Sequence, residues 1–129
     1  MTALPAPVAV FVGGCLGGAL RLALDHLIAD AGGVPLDIVV INLVGSFALG
    51  MLTAHALVHG IRWWTPLLGT GALGGFTTFS ALAALTWTGA SSAGAALALL
   101  VATMVGAVAC AGVGWRLGAR DPQDARDAR

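Results

Sequence analysis

The chain has 129 residues, of which 58% are hydrophobic and 9% charged. A soluble domain carries about 25% charged residues. Six Arg and six Asp cancel to zero net charge, so the basic footprint of a nucleic-acid-binding protein is absent. Composition therefore excludes both classes and indicates a membrane protein.

Two long charge-free stretches, residues 38–61 and 63–115, follow the first apolar segment. Because a helix needs roughly 20 apolar residues to cross a bilayer, the first stretch fits one span and the second fits two. We therefore predict an all-α fold whose domain, residues 1–118, contains four transmembrane helices. The predicted spans are about 8–28, 36–58, 63–87 and 93–117.

The connections have compositions typical of turns. "ADAGGVP" (29–35) combines Asp, Gly and Pro, "HGIRWW" (59–64) places two Trp at an interface, and "TWTGASS" (86–92) forms the third turn. The segment 119–129 is charged and contains Pro, so we predict a disordered tail.

The distribution of arginine predicts the orientation. Four spans bring both termini to the side of the 59–64 connection, and that side carries five Arg whereas the other connections carry none. The positive-inside rule then places both termini in the cytoplasm. The five residues are Arg62, Arg116, Arg120, Arg126 and Arg129.

The first span contains two overlapping pairs of small residues at a spacing of four, which favours close helix packing. Their members are Gly13, Gly14, Gly17 and Gly18. Arg21 lies in the same span, where a charge is costly unless it is paired or reaches water. It can snorkel, pair with Asp25 at i+4, or take a direct functional part.

Asn42, Ser46 and Thr53 share one face of the second span. An amide in hydrocarbon requires a partner. Asn42 can therefore form an interhelical hydrogen bond, or it can donate to a species that passes through the protein.

The third span contains "GALGGFTTFS" (71–80), in which three poor helix formers precede three hydroxyl side chains. We predict a helix broken near the bilayer midplane. Irregular backbone at that depth must be buried by protein or line a cavity, so the alternatives are a packing kink and an ion site. The literal GxGxxG match in "GTGALG" (69–74) has no preceding strand and is not a dinucleotide site.

Three motifs together resemble the CrcB/Fluc family of fluoride channels, over essentially the whole chain. They are "GGxxGGxxR" (residues 13–21), "INLVGSFALG" (41–50) and "GALGGFTTFS" (71–80).

The resemblance implies a passive fluoride channel, not an enzyme, built as an antiparallel dual-topology dimer in the inner (plasma) membrane. It implies that Asn42 and Phe79 line the anion pathways, with fluoride as the transported species. It also implies a central structural Na⁺ held by the backbone carbonyls of Gly74 and Thr77. From their chemistry, the hydroxyls of Thr78 and Ser80 can donate to the same anion.

The family pattern commonly continues TTFSTF, whereas this chain reads TTFSAL and so has Leu82 at the second aromatic position. The sequence also contains no Tyr. One alternative is therefore a partly conducting or non-conducting subunit that pairs with an oppositely oriented relative. A small multidrug exporter is a more remote alternative. That chemistry requires an intramembrane carboxylate, whereas this sequence contains no Glu and its Asp residues cluster at the ends of the predicted spans and in the tail.

Overall fold

A computed structural model describes residues 4–27, 36–80, 82–84 and 92–120 of the chain. Regular structure in these residues is entirely helical. Three of the described helices are long and apolar enough to cross a membrane, and a fourth is shorter. The predicted all-α membrane class is confirmed at this level.

The three long helices are α1 (Ala6–Asp25), α2 (Leu36–His59) and α4 (Ala93–Gly118). Their 20, 24 and 26 residues correspond to about 30–39 Å, enough for the roughly 30 Å hydrocarbon core. Pro in the first turn begins α1, where its missing N–H costs nothing. The Ser92 hydroxyl caps α4 by accepting from the Ala95 N–H (3.2 Å).

The third predicted span, 63–87, is not one continuous helix. Helix α3 covers only Leu67–Phe76, which corresponds to about 15 Å. Its first seven residues, Leu67–Leu73, have π-helical hydrogen bonding, and Gly74–Phe76 return to the α form. Thr77 then takes an extended conformation (φ −81°, ψ 147°), and residues 79–80 and 82–84 are helical again.

The helices pack as two pairs, α2 against α4 and α1 against α3. Glycine brings both pairs into backbone contact: a Cβ on Gly17 would collide with the Ala72 carbonyl, and one on Gly114 would collide with the Phe47 carbonyl. The predicted close packing of the glycines in the first span is therefore confirmed for Gly13 and Gly17, which are both buried against α3.

The connection at 59–64 is described, with Gly60 at φ 88° and residues 63–64 in a turn. The predicted turns at 29–35 and 86–92 and the predicted tail at 119–129 lie largely or wholly outside the described residues. They stay predictions.

Candidate functional site

The end of α3 forms a polar junction with the middle of α2. We call it the α2–α3 junction and define it by Asn42, Gly45, Thr77 and Thr78. At Thr77 the backbone N–H and the side-chain Oγ1 both donate to the Leu73 carbonyl, at 3.0 and 2.9 Å. This double contact closes the last turn of α3 before the chain becomes extended.

Asn42 connects α2 to the residue that follows this turn. Its Nδ2 donates to the carbonyl of Ile38 (2.9 Å) and to that of Thr78 (3.2 Å), and its Oδ1 accepts from the Thr78 N–H (3.0 Å). The side chain is 7% exposed. One amide thus satisfies both backbone groups of Thr78, as a neighbouring strand would, and it bonds α2 to the segment that follows α3 rather than to a second helix.

Gly45 lies one helical turn beyond Asn42 and leaves room for the junction. An added Cβ would overlap Thr77 Cγ2 and come within 3.1 Å of Phe76 Cδ1. Phe76 itself is buried. The extended segment therefore rests on α2 through an apolar contact as well as through the amide of Asn42.

The other predicted pathway residues follow directly along the chain. Phe79 is 59% exposed and Ser80 is exposed, while Thr78 is half-buried. The hydroxyls of Thr78 and Ser80 are 3.4 Å apart, a hydrogen bond in which either oxygen can donate. The structure thus brings Asn42 into contact with the backbone of Thr78, and it places the Ser80 hydroxyl beside that of Thr78, with Phe79 between them in the chain.

Leu82 has a different environment from Phe79. Its side chain is 0% exposed and lies inside the single subunit. The interpretation of Leu82 as standing at the second aromatic position of the pathway stays a prediction.

The two residues expected to hold Na⁺ lie at the same interruption. Gly74 is exposed and an added Cβ on it would meet nothing within 4 Å, while Thr77 is half-buried. The Thr78 N–H, which a continued α-helix would direct to the Gly74 carbonyl, donates to Asn42 instead. An open carbonyl at a helix end is an oxygen ligand suited to Na⁺, so the Gly74 carbonyl fits the ion. The described residues contain no cluster of His, Cys, Asp or Glu that could hold a metal ion.

The Arg21 side chain is half-buried, and its Nε has no hydrogen-bond partner among the described residues. In the described residues no ion pair joins Arg21 to Asp25, which was one of the alternatives, and the exposed Asp25 lies near Asp37. Asp37 is 4% exposed, with Oδ1 also unpartnered in the described part of the chain. In the sequence Asp37 directly precedes the charge-free stretch 38–61 and follows Pro35 and Leu36, a position that gives no sign of burial.

A cavity of about 540 Å³ lies between α2, α3 and the end of α4. Its lining is mainly apolar. Of its polar residues, His55 and His59 lie near the end of α2, and Arg120 follows the end of α4. The two His rings stack with centroids 4.2 Å apart. None of the predicted site residues lines this cavity, so it is separate from the junction.

Long apolar helices with an interrupted helix and a buried polar junction define an α-helical membrane protein. Comparison with known proteins adds the family. The model for "CrcB-like protein, Camphor Resistance (CrcB)" matches residues 8–115, so the chain belongs to the CrcB family.

The relatives compared below are all named fluoride-specific ion channels. The chain is 47% identical over 76 residues to "Fluoride-specific ion channel FluC 1" of Leifsonia xyli subsp. xyli, covering 57% of this chain and 56% of that protein. It is 49% identical over 74 residues to "Fluoride-specific ion channel FluC" of Methylobacterium nodulans, covering 55% and 60%. The chain thus spans little more than half the length of these two relatives. A FluC of a Chelativorans species is 38% identical over 115 residues, which cover 78% of this chain and 88% of that protein.

Proposed function

We propose that the chain is a subunit of a passive, fluoride-selective channel that releases fluoride from the cytoplasm. The observation that carries this proposal is the family match over residues 8–115, which includes the junction and all predicted site residues. The FluC names of the relatives supply fluoride as the transported ion.

The chemistry of the junction supports an anion pathway beside it. A small anion that leaves water requires donors or positive dipoles in return. The Ser80 and Thr78 hydroxyls can donate, and the positive edge of the Phe79 ring can face an anion. The exposure of Phe79 and Ser80 in a single subunit suits residues that line a path between subunits.

Na⁺ at the carbonyls of Gly74 and Thr77 belongs to the same proposal. Interrupted membrane helices bind cations with carbonyls freed at the break. When bound, the ion supplies positive charge that lowers the electrostatic cost of bringing an anion into the membrane. Exposure of Gly74 in one subunit is what a site shared between two subunits requires.

The assembly we propose is an antiparallel dimer of subunits with four spans each, located in the plasma membrane with both termini of this chain in the cytoplasm. In the described residues α1 and α4 do not contact each other, and α3 by itself crosses only about half of the hydrocarbon core. A second subunit would then complete the enclosure of α3.

A heterodimer is the second candidate, and the arginine distribution favours it. An antiparallel homodimer requires one sequence to insert in both orientations, whereas five Arg on one side and none on the opposite connections favour one orientation. A related chain with the reverse bias would supply the inverted half. Leu82 at the second aromatic position agrees with this candidate, because one of two pathways can be lost when two subunits diverge.

The test is fluoride release from liposomes that contain the purified chain, measured with a fluoride-selective electrode, with chloride release as the selectivity control. We expect fluoride release well above that of protein-free liposomes and no chloride release. Release of neither ion, also after addition of a candidate partner subunit, would contradict a channel function.

Single cysteines at each terminus, labelled from either side of the membrane in a background lacking Cys15 and Cys110, separate the two assemblies. Labelling from both sides together with rapid fluoride release supports the homodimer. Labelling from the cytoplasmic side alone, with release only when a partner is present, supports the heterodimer.

A further inference from the structure

All hydrogen-bonding groups of the Asn42 amide are engaged. A primary amide has two N–H donors, and here they meet the carbonyls of Ile38 and Thr78. The amide oxygen accepts from the Thr78 N–H. Because the side chain is also buried, an anion could reach an Asn42 N–H only by displacing one of these carbonyls and leaving it unpaired.

The bond from the Thr78 N–H to Asn42 affects the carbonyl of Gly74, four residues earlier in the chain. In a continuous α-helix the N–H of residue 78 would donate to the carbonyl of Gly74. With Thr77 extended and Thr78 held by Asn42, the Gly74 carbonyl lacks that donor. The amide on α2 thereby determines whether a carbonyl on α3 is available to a ligand.

We propose that Asn42 is a positioning residue for the cation site: it holds α3 open at Thr78 and so keeps the Gly74 carbonyl available to Na⁺. This inference rests on the proposed channel function and its Na⁺ site. It assigns Asn42 a task other than direct donation to fluoride. Gly45 supports the same arrangement, since its missing side chain lets Thr77 lie against α2.

Two substitutions separate positioning from direct donation. Asn42→Leu removes both the acceptor for the Thr78 N–H and the two donors. Asn42→Asp keeps the shape and the acceptor but lacks the amide donors. Thr53→Val is the matched control, because the Thr53 hydroxyl on the same helix bonds only to the Leu49 carbonyl (2.7 Å) of its own turn.

The readouts are the Na⁺ concentration that half-maximally stabilises the full-length protein in lipid nanodiscs against heat, and hydrogen exchange of the Thr78 amide by NMR. For Asn42→Leu we expect faster exchange at Thr78 and a half-maximal Na⁺ concentration raised about tenfold or more, the scale seen when a group that orients a metal ligand is lost. In Asn42→Asp the carboxyl keeps an acceptor for the Thr78 N–H and, when protonated, one donor for the Ile38 or Thr78 carbonyl, so exchange at Thr78 and the Na⁺ response should change less than in Asn42→Leu. Thr53→Val should match the parental protein in both.

An unchanged Na⁺ response in Asn42→Leu would overturn the proposal, as would its loss in Asn42→Asp while the Thr78 amide still exchanges slowly. If Asn42→Leu does not fold, the aspartate variant decides alone. Fluoride release by the parental protein is measured in the same preparation. Its absence would count against the channel function, whereas normal release without any Na⁺ response in the parental protein would overturn only the cation site and the role of Asn42.

Discussion

The two helix pairs use glycine in the same way, yet only one of them contains an interruption. In the α2/α4 pair, Gly50, Gly114 and Gly118 each face a carbonyl oxygen of the opposite helix, and both helices run unbroken through the contact. In the α1/α3 pair, Gly13 and Gly17 make comparable contacts, but α3 is π-helical there and ends at Phe76.

Gly74, near the end of α3, differs from these packing glycines. It is exposed, and among the described residues no atom lies within 4 Å of an added Cβ, so packing against these residues does not require glycine there. The α2/α4 pair is therefore a scaffold, whereas the end of α3 leaves polar backbone open. Substitutions at matched positions can test this difference between the α2/α4 pair and the end of α3. They follow in order of decreasing expected effect.

Gly114→Val should strongly destabilise the scaffold pair. The new side chain would overlap the Phe47 carbonyl, and overpacking against backbone costs about 1–3 kcal/mol or more. Gly112→Val is the control, because Gly112 is exposed on the same helix with nothing within 4 Å. Size-exclusion chromatography and thermal unfolding of the detergent-solubilised proteins measure the effect. Equal behaviour of the two variants would contradict the close α2/α4 contact.

Gly17→Ala should destabilise the α1/α3 pair by about 1–2 kcal/mol, less than the change in the scaffold pair. The added methyl group would meet the Ala72 carbonyl, but α3 is short and can shift along α1. Gly18→Ala, at a position with no neighbour within 4 Å, should be close to neutral. Thermal unfolding compares the two proteins, and a cost as large at residue 18 as at residue 17 would show that this face does not pack on α3.

Thr77→Val removes the hydroxyl bond to the Leu73 carbonyl with little change in shape, at a cost of about 0.5–1.5 kcal/mol. We expect reduced fluoride release and a weaker Na⁺ response, because the last turn of α3 loosens beside the proposed cation site. Thr103→Val removes the equivalent bond to Leu99 inside uninterrupted α4 and should affect stability alone. If both variants lose fluoride release equally, the interruption has no special role.

Gly74→Ala should have the smallest effect on the single subunit and the opposite sign. The residue has helical dihedral angles (φ −66°, ψ −37°) and open space around it, so alanine should stabilise the subunit by about 0.4–1 kcal/mol. A second subunit seated over Gly74 would reverse this gain on assembly. Thermal unfolding of the monomer measures the gain in subunit stability, and the fraction of dimer in detergent measures the loss on assembly. A destabilised monomer would contradict the packing described for Gly74.

The sequence was sufficient for features that depend on composition and on order along the chain. Charge-free stretches predicted the helices now described as Leu36–His59 and Ala93–Gly118, with ends that agree within a residue. The motifs around Asn42 and Phe79 predicted the family, which the match over residues 8–115 confirmed. These features follow from bilayer thickness and from local polarity, both of which can be counted in a linear chain.

Only the tertiary structure determined which groups meet. Periodicity placed Asn42 on a polar face of α2, but its partner is the backbone of Thr78, 36 positions away. The tertiary structure also separated exposed Phe79 from buried Leu82, and it buried Asp37 at the start of α2. A hydrogen bond or a core contact depends on distance in space, and helical spacing specifies the face of a residue without specifying the helix that packs against it.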